Sequence, residues 1–389
     1  ESHSEAFCST CEVNPSVIVS NGELGVTIID IDGDSPADVV AFENKRVHYW
    51  FLKVEVATML KRVIKSPQLW HKLNPIRPRV RKIISKIQPD VIALIGAENP
   101  HISGTILGIK GIPIIVKGQT IYNNPERYKH GFVDCKNAFV EKLIFNECQY
   151  FSYTNKMHCD LFRQFNPLAI NLKWNFGSEY PEVEPVAVKQ YDFINYAMGM
   201  RSSKGFHDAI RALAIVKNTF PEVRLNLTGG YSIDRYEELR SLARELGVEQ
   251  NVSFTPFYEK QRDLFQHIQN SRFALLPCKL DYIPFSIRQA MHYGLPVVCY
   301  GTKGTPTLNK EKNCVLIAEL DNIEDLAVKM LQLLSDSVLV NTLRDNAMAY
   351  SAELDDNKKD TDEIVADLYA VVKHYRFGTP IPKSLLYEA

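Results

Sequence analysis

The sequence predicts an α/β protein built from two doubly wound domains in tandem. Short apolar runs alternate with longer amphipathic stretches, which is the pattern of a parallel sheet covered by helices. The alternation is interrupted at Tyr180–Pro185, where two prolines and two acids indicate a linker, and it then restarts. A length of 389 residues fits two or three domains of ordinary size. We therefore predict a first domain over 1–183, a second over 184–359, and a final helix and tail over 360–389.

Composition excludes several classes of protein. The chain has 45 Lys+Arg and 46 Asp+Glu, and this balance argues against a nucleic-acid binder held by bulk charge. With 45% hydrophobic residues the chain is not wholly disordered, and no apolar run approaches the ~20 residues that span a bilayer. The eight cysteines are scattered, and Cys8-Ser-Thr-Cys11 lacks the second pair of a zinc site, so free thiols in a cytoplasmic protein are expected. The start at Glu1 suggests a trimmed chain.

The first domain is predicted from apolar runs that end in glycine-containing loops and from apolar groups at helical spacing. Its predicted strands are 26–32, 89–95, 112–116 and 150–153, and its predicted helices are 52–66, 76–88, 136–147 and 155–165.

The second domain follows the same rules. Its predicted strands are 191–197, 224–227, 252–254, 273–276, 296–299 and 314–318, and its predicted helices are 204–218, 236–246, 259–269, 285–293, 323–335 and 338–351. The segment 360–376 has the acidic, capped start of a last helix. A cleft between the two domains is the default ligand site of such a protein.

One loop and helix of the second domain carry the strongest chemical signal. After the strand that ends at Pro277, a loop contains Asp281, and a helix begins near Phe285. Loop donors and a helix N-terminus form an anion site suited to a phosphate group. Gln289 lies about one turn into the helix and can point to the same pocket. From the residues alone, an ordinary strand–loop–helix unit with a polar Gln289 is an equal alternative.

This window, 276–298, resembles the signature of the glycosyltransferase family 4 enzymes of the GT-B fold. An alignment without gaps places Asp281 and Gln289 on the two acids of the family. The other matching residues are Ala290, Met291, Gly294, Pro296, Val297 and Val298. The resemblance implies that Asp281 contacts the donor sugar, that Gln289 holds the ribose, and that the helix start at Phe285 and Ser286 faces the diphosphate. Pro284 departs from the family pattern, because it has no N–H to offer the donor.

Further motifs support the resemblance. Lys204-Gly205 aligns with the Lys-Gly of the family, whose Arg and Lys clamp the diphosphate. Gly199 occupies the position of the family Arg, and Arg201 follows two residues later, either as a phosphate ligand or as a solvated surface residue. The pair Gly229 and Gly230 matches a strand end beneath the nucleotide.

The first domain matches more loosely. His101 follows a predicted strand, at a place where some family members have a functional His beside the donor sugar. Binding loops gather at the carboxyl ends of strands, which suits such a role. A loop histidine exposed to water is an equal alternative.

The resemblance as a whole implies a GT-B protein with a last helix that crosses back to the first domain. It implies a retaining, metal-independent glycosyltransferase of the hexosyltransferase type, without a cofactor, that uses a nucleotide-diphosphate sugar, with UDP- or GDP-sugars favoured. The acceptor would be a carbohydrate or lipid-linked hydroxyl, as in glycan, glycolipid or polysaccharide assembly. No nucleic-acid partner is expected, a peripheral membrane contact is left open, and the oligomeric state is undetermined.

Two alternatives remain. A catalytically weak or inactive GT-B protein that binds sugar nucleotides, or serves as a partner subunit, is suggested by Gln289 and Pro284. The other alternative is a different doubly wound enzyme, although the lack of a GxGxxG turn argues against a dehydrogenase.

Overall fold

The computed structural model describes most of the chain. The described residues are 17–21, 25–31, 39–44, 47–52, 66–74, 76–97, 100–118, 121–124, 131–152, 156–173, 180–354 and 357–387. They divide into two compact units. The first comprises the described residues of Glu12–Gly177 and Asn357–Ala389, and the second comprises those of Ser178–Asp356. The Cys8–Cys11 motif and all of the predicted helix 52–66 except its two end residues lie outside the described residues.

The first unit contains an eight-stranded mixed sheet of order β3-β4-β2-β1-β5-β6-β7-β8. Its strands are β1 (Val17–Asn21), β2 (Gly25–Ile31), β3 (Val39–Asn44), β4 (Val47–Leu52), β5 (Val91–Ile95), β6 (Ile114–Lys117), β7 (Tyr150–Ser152) and β8 (Ile170–Leu172). Its helices are α1 (Pro67–Lys72), α2 (Arg77–Ile87), α3 (Pro100–Ser103), α4 (Gly131–Glu147) and α5 (Lys156–Phe165). From β5 to β8 the strands are parallel, whereas β1 is antiparallel to both of its neighbours.

The second unit contains a six-stranded, entirely parallel sheet. Its strands are β9 (Tyr191–Gly199), β10 (Leu225–Gly230), β11 (Val252–Thr255), β12 (Ser271–Leu276), β13 (Val297–Tyr300) and β14 (Leu316–Ala318). Its helices are α6 (Phe206–Val216), α7 (Ile233–Glu245), α8 (Gln261–Ile268), α9 (Phe285–His292), α10 (Ile323–Ser335) and α11 (Ser337–Leu354). The order β11-β10-β9-β12-β13-β14 reverses direction between β9 and β12. Ligands of open α/β sheets bind at the carboxyl ends of the strands at such a reversal.

The last helix, α12 (Asn357–Phe377), belongs to the first unit. Its Val371 is fully buried in one apolar cluster with Val91, Ala93 and Ile115 of the sheet. The predicted fold class, two α/β domains, is confirmed. The division into units assigns residues 178–183 to the second unit and 357–359 to the first, a few residues from the predicted limits.

Among the described residues, no single helix is both long enough and apolar enough to cross a bilayer. By length and composition α10 and α11 qualify only as a pair, and the chain bends by 100° between them. Both helices contribute buried residues to the core of the second unit, among them Leu326, Met330 and Leu343.

A buried carboxyl group lies on the inner side of α12. Asp367 is fully buried, and neither of its carboxylate oxygens has a hydrogen-bond partner among the described residues. Burial, and secondarily the charge of Glu363, raises the pKa of Asp367 to about 7, and Lys117 only partly offsets this. The folded protein therefore binds a proton at Asp367 that the unfolded chain releases near its ordinary pKa of 3.8.

This carboxyl group predicts a pH-dependent stability. Because the pKa of Asp367 is higher in the folded state, protonation of Asp367 stabilises the folded protein. This stabilisation is fully present below about pH 4 and is lost as the pH rises to about 7. We expect Asp367→Asn to stabilise the protein more at pH 8 than at pH 5, with the advantage growing by about 2–3 kcal/mol. Urea unfolding of both proteins at the two pH values measures this difference. An advantage that does not change with pH would contradict the assignment.

Candidate active site

Two oppositely charged side chains meet where the strand order of the second unit reverses. Lys204 follows β9 and Asp281 follows β12, and these strands are parallel neighbours. Their carboxyl ends open at the same sheet edge, so the Lys204 ammonium forms an ion pair with the Asp281 carboxylate. The two side chains are 35% and 39% exposed. An ion pair this exposed contributes about 1 kcal/mol or less of stabilisation, so a charged ligand can displace one side chain from the other.

The backbone holds the two segments together. A 3₁₀ turn, Ser202–Lys204, ends at Gly205, whose φ of +78° lies in the left-handed region. A Cβ atom at Gly205 would lie 2.2 Å from the carbonyl oxygen of Pro277, so only glycine allows this approach. The backbone N–H of Lys279 donates to the carbonyl of Ser203 at 3.0 Å. Lys204 is thereby fixed against the loop that contains Asp281.

The loop after β12 is also fixed from its other side. The hydroxyl of Thr302 donates to the carbonyl of Tyr282 at 2.6 Å. A Cβ atom at Gly304 would lie 2.3 Å from the same carbonyl oxygen. The loop that carries Asp281 is therefore held by the segment after β13 as well as by the turn after β9.

Lys279 is the centre of a network of charged groups that no sequence motif predicts. The Lys279 ammonium lies 2.7 Å from Asp208 and 2.6 Å from Asp321, and Asp208 also accepts from the hydroxyl of Tyr300 at 3.0 Å. Burial alone would lower the pKa of Lys279, but the hydrogen bonds to the two carboxylates outweigh it and raise the pKa. Lys279 thus joins the Asp281 loop to the start of α6 and to the loop after β14.

Replacing Lys279 tests this network. We expect Lys279→Met to lower the free energy of unfolding by about 1–2 kcal/mol, because the buried Asp208 loses one charged partner while keeping Tyr300 and Arg211. Lys279→Arg, which retains the charge, is expected to recover part of the loss. Urea unfolding measures all three proteins. Equal destabilisation by Met and Arg would show that shape rather than charge is required.

Arg201 lies beside the position that the resemblance gives to the phosphate-clamping arginine. Its side chain folds back so that Nε is 3.5 Å from where a Cβ atom of Gly199 would be. The residue is exposed and precedes the turn that ends at Lys204. The Arg201 side chain therefore lies beside Gly199, the residue that occupies the position of the family arginine. The role of Arg201 as a phosphate ligand stays a prediction.

The helix after the loop is positioned by a tyrosine of the central strand. The hydroxyl of Tyr196 donates to the carbonyl of Ser286 at 2.7 Å. Pro284 is the N-terminal capping residue of α9, and Phe285, its first residue, is exposed. The first N–H groups of a helix have no partner within the helix and favour an anion. Gln289 lies inside the same helix and is buried.

The glycine pair at the end of β10 has a packing role. A Cβ atom at Gly229 would lie 2.1 Å from the carbonyl oxygen of Ala197, and one at Gly230 would lie 2.8 Å from that of Met198. Both carbonyls belong to β9, so the glycines allow the two strands to approach each other. Contact of Gly229 and Gly230 with a nucleotide stays a prediction.

His101 belongs to the first unit and lies in α3, directly after the loop that follows β5. Its side chain is outside the described part of the structure, so its proposed role beside the donor sugar stays a prediction. Among the described residues, no three His, Cys, Asp or Glu side chains are grouped as a metal site requires. Independence of metal likewise stays a prediction.

The second unit is similar in sequence to a known family. Residues 181–350 match the family model Glycosyl transferases group 1. An uncharacterized glycosyltransferase of Haemophilus influenzae is 30% identical over 134 residues, which cover 34% of this chain and 36% of that protein. The match thus spans about a third of the length of this relative.

Solved structures identify the fold of both units. Sucrose-phosphate synthase from Thermosynechococcus elongatus superimposes with a TM-score of 0.72 at 14% identity over 89% of each chain. HepE from Anabaena, solved in complex with UDP-glucose, gives a TM-score of 0.64 at 16% identity over 88% of this chain and 99% of that one. The two α/β domains of this chain therefore have the fold of GT-B glycosyltransferases.

Proposed function

We propose that this protein transfers a sugar from a nucleotide-diphosphate sugar to an acceptor hydroxyl, with retention of anomeric configuration. The observation that carries the proposal is the meeting of Lys204 and Asp281 at the reversal point of the second sheet. A cation for a diphosphate and an acceptor for sugar hydroxyls are the two groups that a donor of this kind requires at one place. HepE, a protein of the same fold, has been solved with UDP-glucose, which favours a UDP-sugar as donor.

Charge at the leaving group is the central chemical demand of the reaction. When the bond between the anomeric carbon and the diphosphate breaks, negative charge develops on the departing oxygen. In this proposal Lys204 moves from Asp281 to the diphosphate, and Arg201 and the N-terminus of α9 add to the stabilisation. The acceptor hydroxyl forms the new bond on the same face, and its proton passes to the departing phosphate oxygen. No side-chain base is then needed.

The remaining residues orient the donor. Asp281, released from Lys204, accepts hydrogen bonds from sugar hydroxyls, and the Gln289 amide faces the ribose. His101 of the first domain would contact the donor sugar. A carbohydrate or lipid-linked acceptor and a cytoplasmic location remain part of the proposal.

A sugar-nucleotide-binding protein without turnover is the second candidate. Two observations favour it: a neutral amide at Gln289 where the family has an acid, and a proline at the N-terminal cap of α9. Both candidates bind the donor, so only turnover separates them.

A panel of UDP-, GDP- and ADP-sugars in a thermal-shift assay tests donor binding. A ligand that binds the native state alone raises the melting temperature. We expect one base to give a clear shift and the corresponding free nucleotide diphosphate to give part of it. If no member of the panel raises the melting temperature, both candidates fail.

The role of Asp281 is tested by Asp281→Asn. Because an aspartate that orients the sugar acts mainly in the transition state, we expect turnover to fall about tenfold while the affinity for the nucleotide diphosphate changes by less than about threefold. Asp281→Glu, which retains the carboxylate, should keep more activity than Asp281→Asn. Calorimetry measures the affinity for the nucleotide diphosphate, and the release of nucleotide diphosphate measures turnover. Loss of nucleotide binding in Asp281→Asn would remove Asp281 from the sugar position.

A further inference from the structure

The loop that contains Asp281 has little regular structure of its own. Residues 277–284, which we call the Asp281 loop, lie between β12 and α9 and form neither helix nor strand. Leu280, the residue before Asp281, is 79% exposed, so its side chain adds little packing to the loop. A loop of this kind keeps one conformation only where other segments hold it. The position of the Asp281 carboxylate therefore depends on the contacts of the residues around it.

Lys279 connects this loop to two other segments through its side chain. Its ammonium lies 2.7 Å from Asp208, in the first turn of α6, and 2.6 Å from Asp321, which lies between β14 and α10. Asp208 is itself fixed, because its carboxylate also accepts a hydrogen bond from the buried Tyr300 at 3.0 Å. The side chain of Lys279 thus anchors the loop two residues before Asp281.

The backbone of Asp321 has an unfavourable conformation. Its φ of +63° lies in the left-handed region, which few residues other than glycine adopt. In the described part of the chain only one other non-glycine residue, Gln88 of the first unit, has a positive φ. Such strain persists where the surrounding structure holds it, and it is common at functional sites. Here the strained residue places its carboxylate against the Lys279 ammonium.

Cys278 lies beneath the same loop and reports on its position. The residue is 5% exposed, and the backbone N–H groups of Leu280 and Asp281 point to its sulfur. Burial, and secondarily the charge of Asp281, raises the pKa of the Cys278 thiol. Because the thiolate is the reactive form, this thiol reacts slowly while the loop covers it. A faster reaction of Cys278 therefore indicates that the Asp281 loop has opened.

We propose that Lys279 is a positioning residue for sugar transfer: bound to Asp208 and Asp321, it holds the Asp281 loop so that the Asp281 carboxylate meets the donor sugar. This inference rests on the proposed function, which gives Asp281 its place beside the sugar. Lys279 does not itself touch the donor, because two carboxylates engage its ammonium. Loss of this anchor should lower the rate of transfer more than the binding of nucleotide diphosphate, which depends on Lys204.

Asp321→Gly separates positioning from stability. Glycine favours the left-handed conformation and so offsets the lost ion pair, and the variant should unfold at about the urea concentration of the wild type. We expect its kcat for the stabilising sugar nucleotide to fall about fivefold to tenfold, while the affinity for nucleotide diphosphate changes by less than about twofold. Lys279→Met should show the same split, and Lys279→Arg should recover most of the kcat. Gln88→Gly, the matched control at the other positive φ, should leave kcat unchanged.

Alkylation of Cys278 by iodoacetamide, followed by mass spectrometry of its peptide, measures the loop without any donor. Asp321→Gly should raise the alkylation rate at least about threefold, and Gln88→Gly should not. Unchanged alkylation in Asp321→Gly, or a fall in kcat that only accompanies lost stability, would overturn the inference. If the wild type releases nucleotide diphosphate and Asp321→Gly keeps its kcat, the positioning role alone fails. If the wild type releases none with any donor and acceptor, the proposed function fails and the positioning role fails with it.

Discussion

Gly205→Ala is expected to lower the free energy of unfolding by about 3–5 kcal/mol. Two effects add at this position. An alanine in the left-handed region costs about 1 kcal/mol, and the added Cβ would lie 2.2 Å from the Pro277 carbonyl oxygen, which is backbone and cannot rotate away. Relief requires the turn after β9 to move away from the loop after β12, so the variant also separates Lys204 from Asp281.

Gly247→Ala is the matched control for this change. Gly247 has a φ of +69°, close to that of Gly205, but among the described residues no atom beyond its two chain neighbours lies within 4 Å of where its Cβ atom would be. We expect Gly247→Ala to lower the free energy of unfolding by only about 1 kcal/mol, because only the left-handed backbone conformation is unfavourable for alanine. Urea unfolding of both variants gives the contribution of the close approach as their difference. Similar losses in the two variants would contradict the approach of the two loops.

Lys204→Met is expected to reduce kcat/KM for the sugar nucleotide by about 10²-fold, which corresponds to roughly 3 kcal/mol of transition-state stabilisation. The methionine keeps most of the length of the side chain but provides no charge for the diphosphate. The affinity for the nucleotide diphosphate should fall by a smaller amount, about 1–2 kcal/mol, because the leaving group gains charge only as the bond breaks.

Lys217→Met is a control for the loss of charge. Lys217 directly follows α6, at the opposite end of the helix from Lys204, and donates to the carbonyl of Gly247 at 2.7 Å. Initial rates and calorimetry should show wild-type behaviour for this variant. If Lys204→Met also retains wild-type kcat/KM, Lys204 does not touch the donor.

The second unit was predictable from the sequence because its local patterns agree with its fold. All six strands of the second sheet were predicted from the alternation of strands and helices along the chain. Lys204 and Asp281 were found because each follows such a run in a recognisable motif. Their ion pair was not predicted, since it depends on β9 and β12 being neighbours in the sheet, which the order of strands along the chain does not reveal.

The first unit shows where such prediction fails. The strands β1, β3 and β4 were missed, because they form antiparallel pairs that a strand–helix alternation does not anticipate. The short strand β8 was also missed. The partners of Lys279 were missed for a related reason: Asp208 and Asp321 lie on distant segments, and only the folded sheet brings their carboxylates together.

The most direct measurement of the proposed function is the release of nucleotide diphosphate by the purified protein from the sugar nucleotide that stabilises it. We expect slow release in water and faster release when carbohydrate or lipid-linked acceptors are added, with the sugar recovered on the acceptor in its original anomeric configuration. Binding of the donor with no release in the presence of any acceptor would contradict sugar transfer and leave a sugar-nucleotide-binding protein.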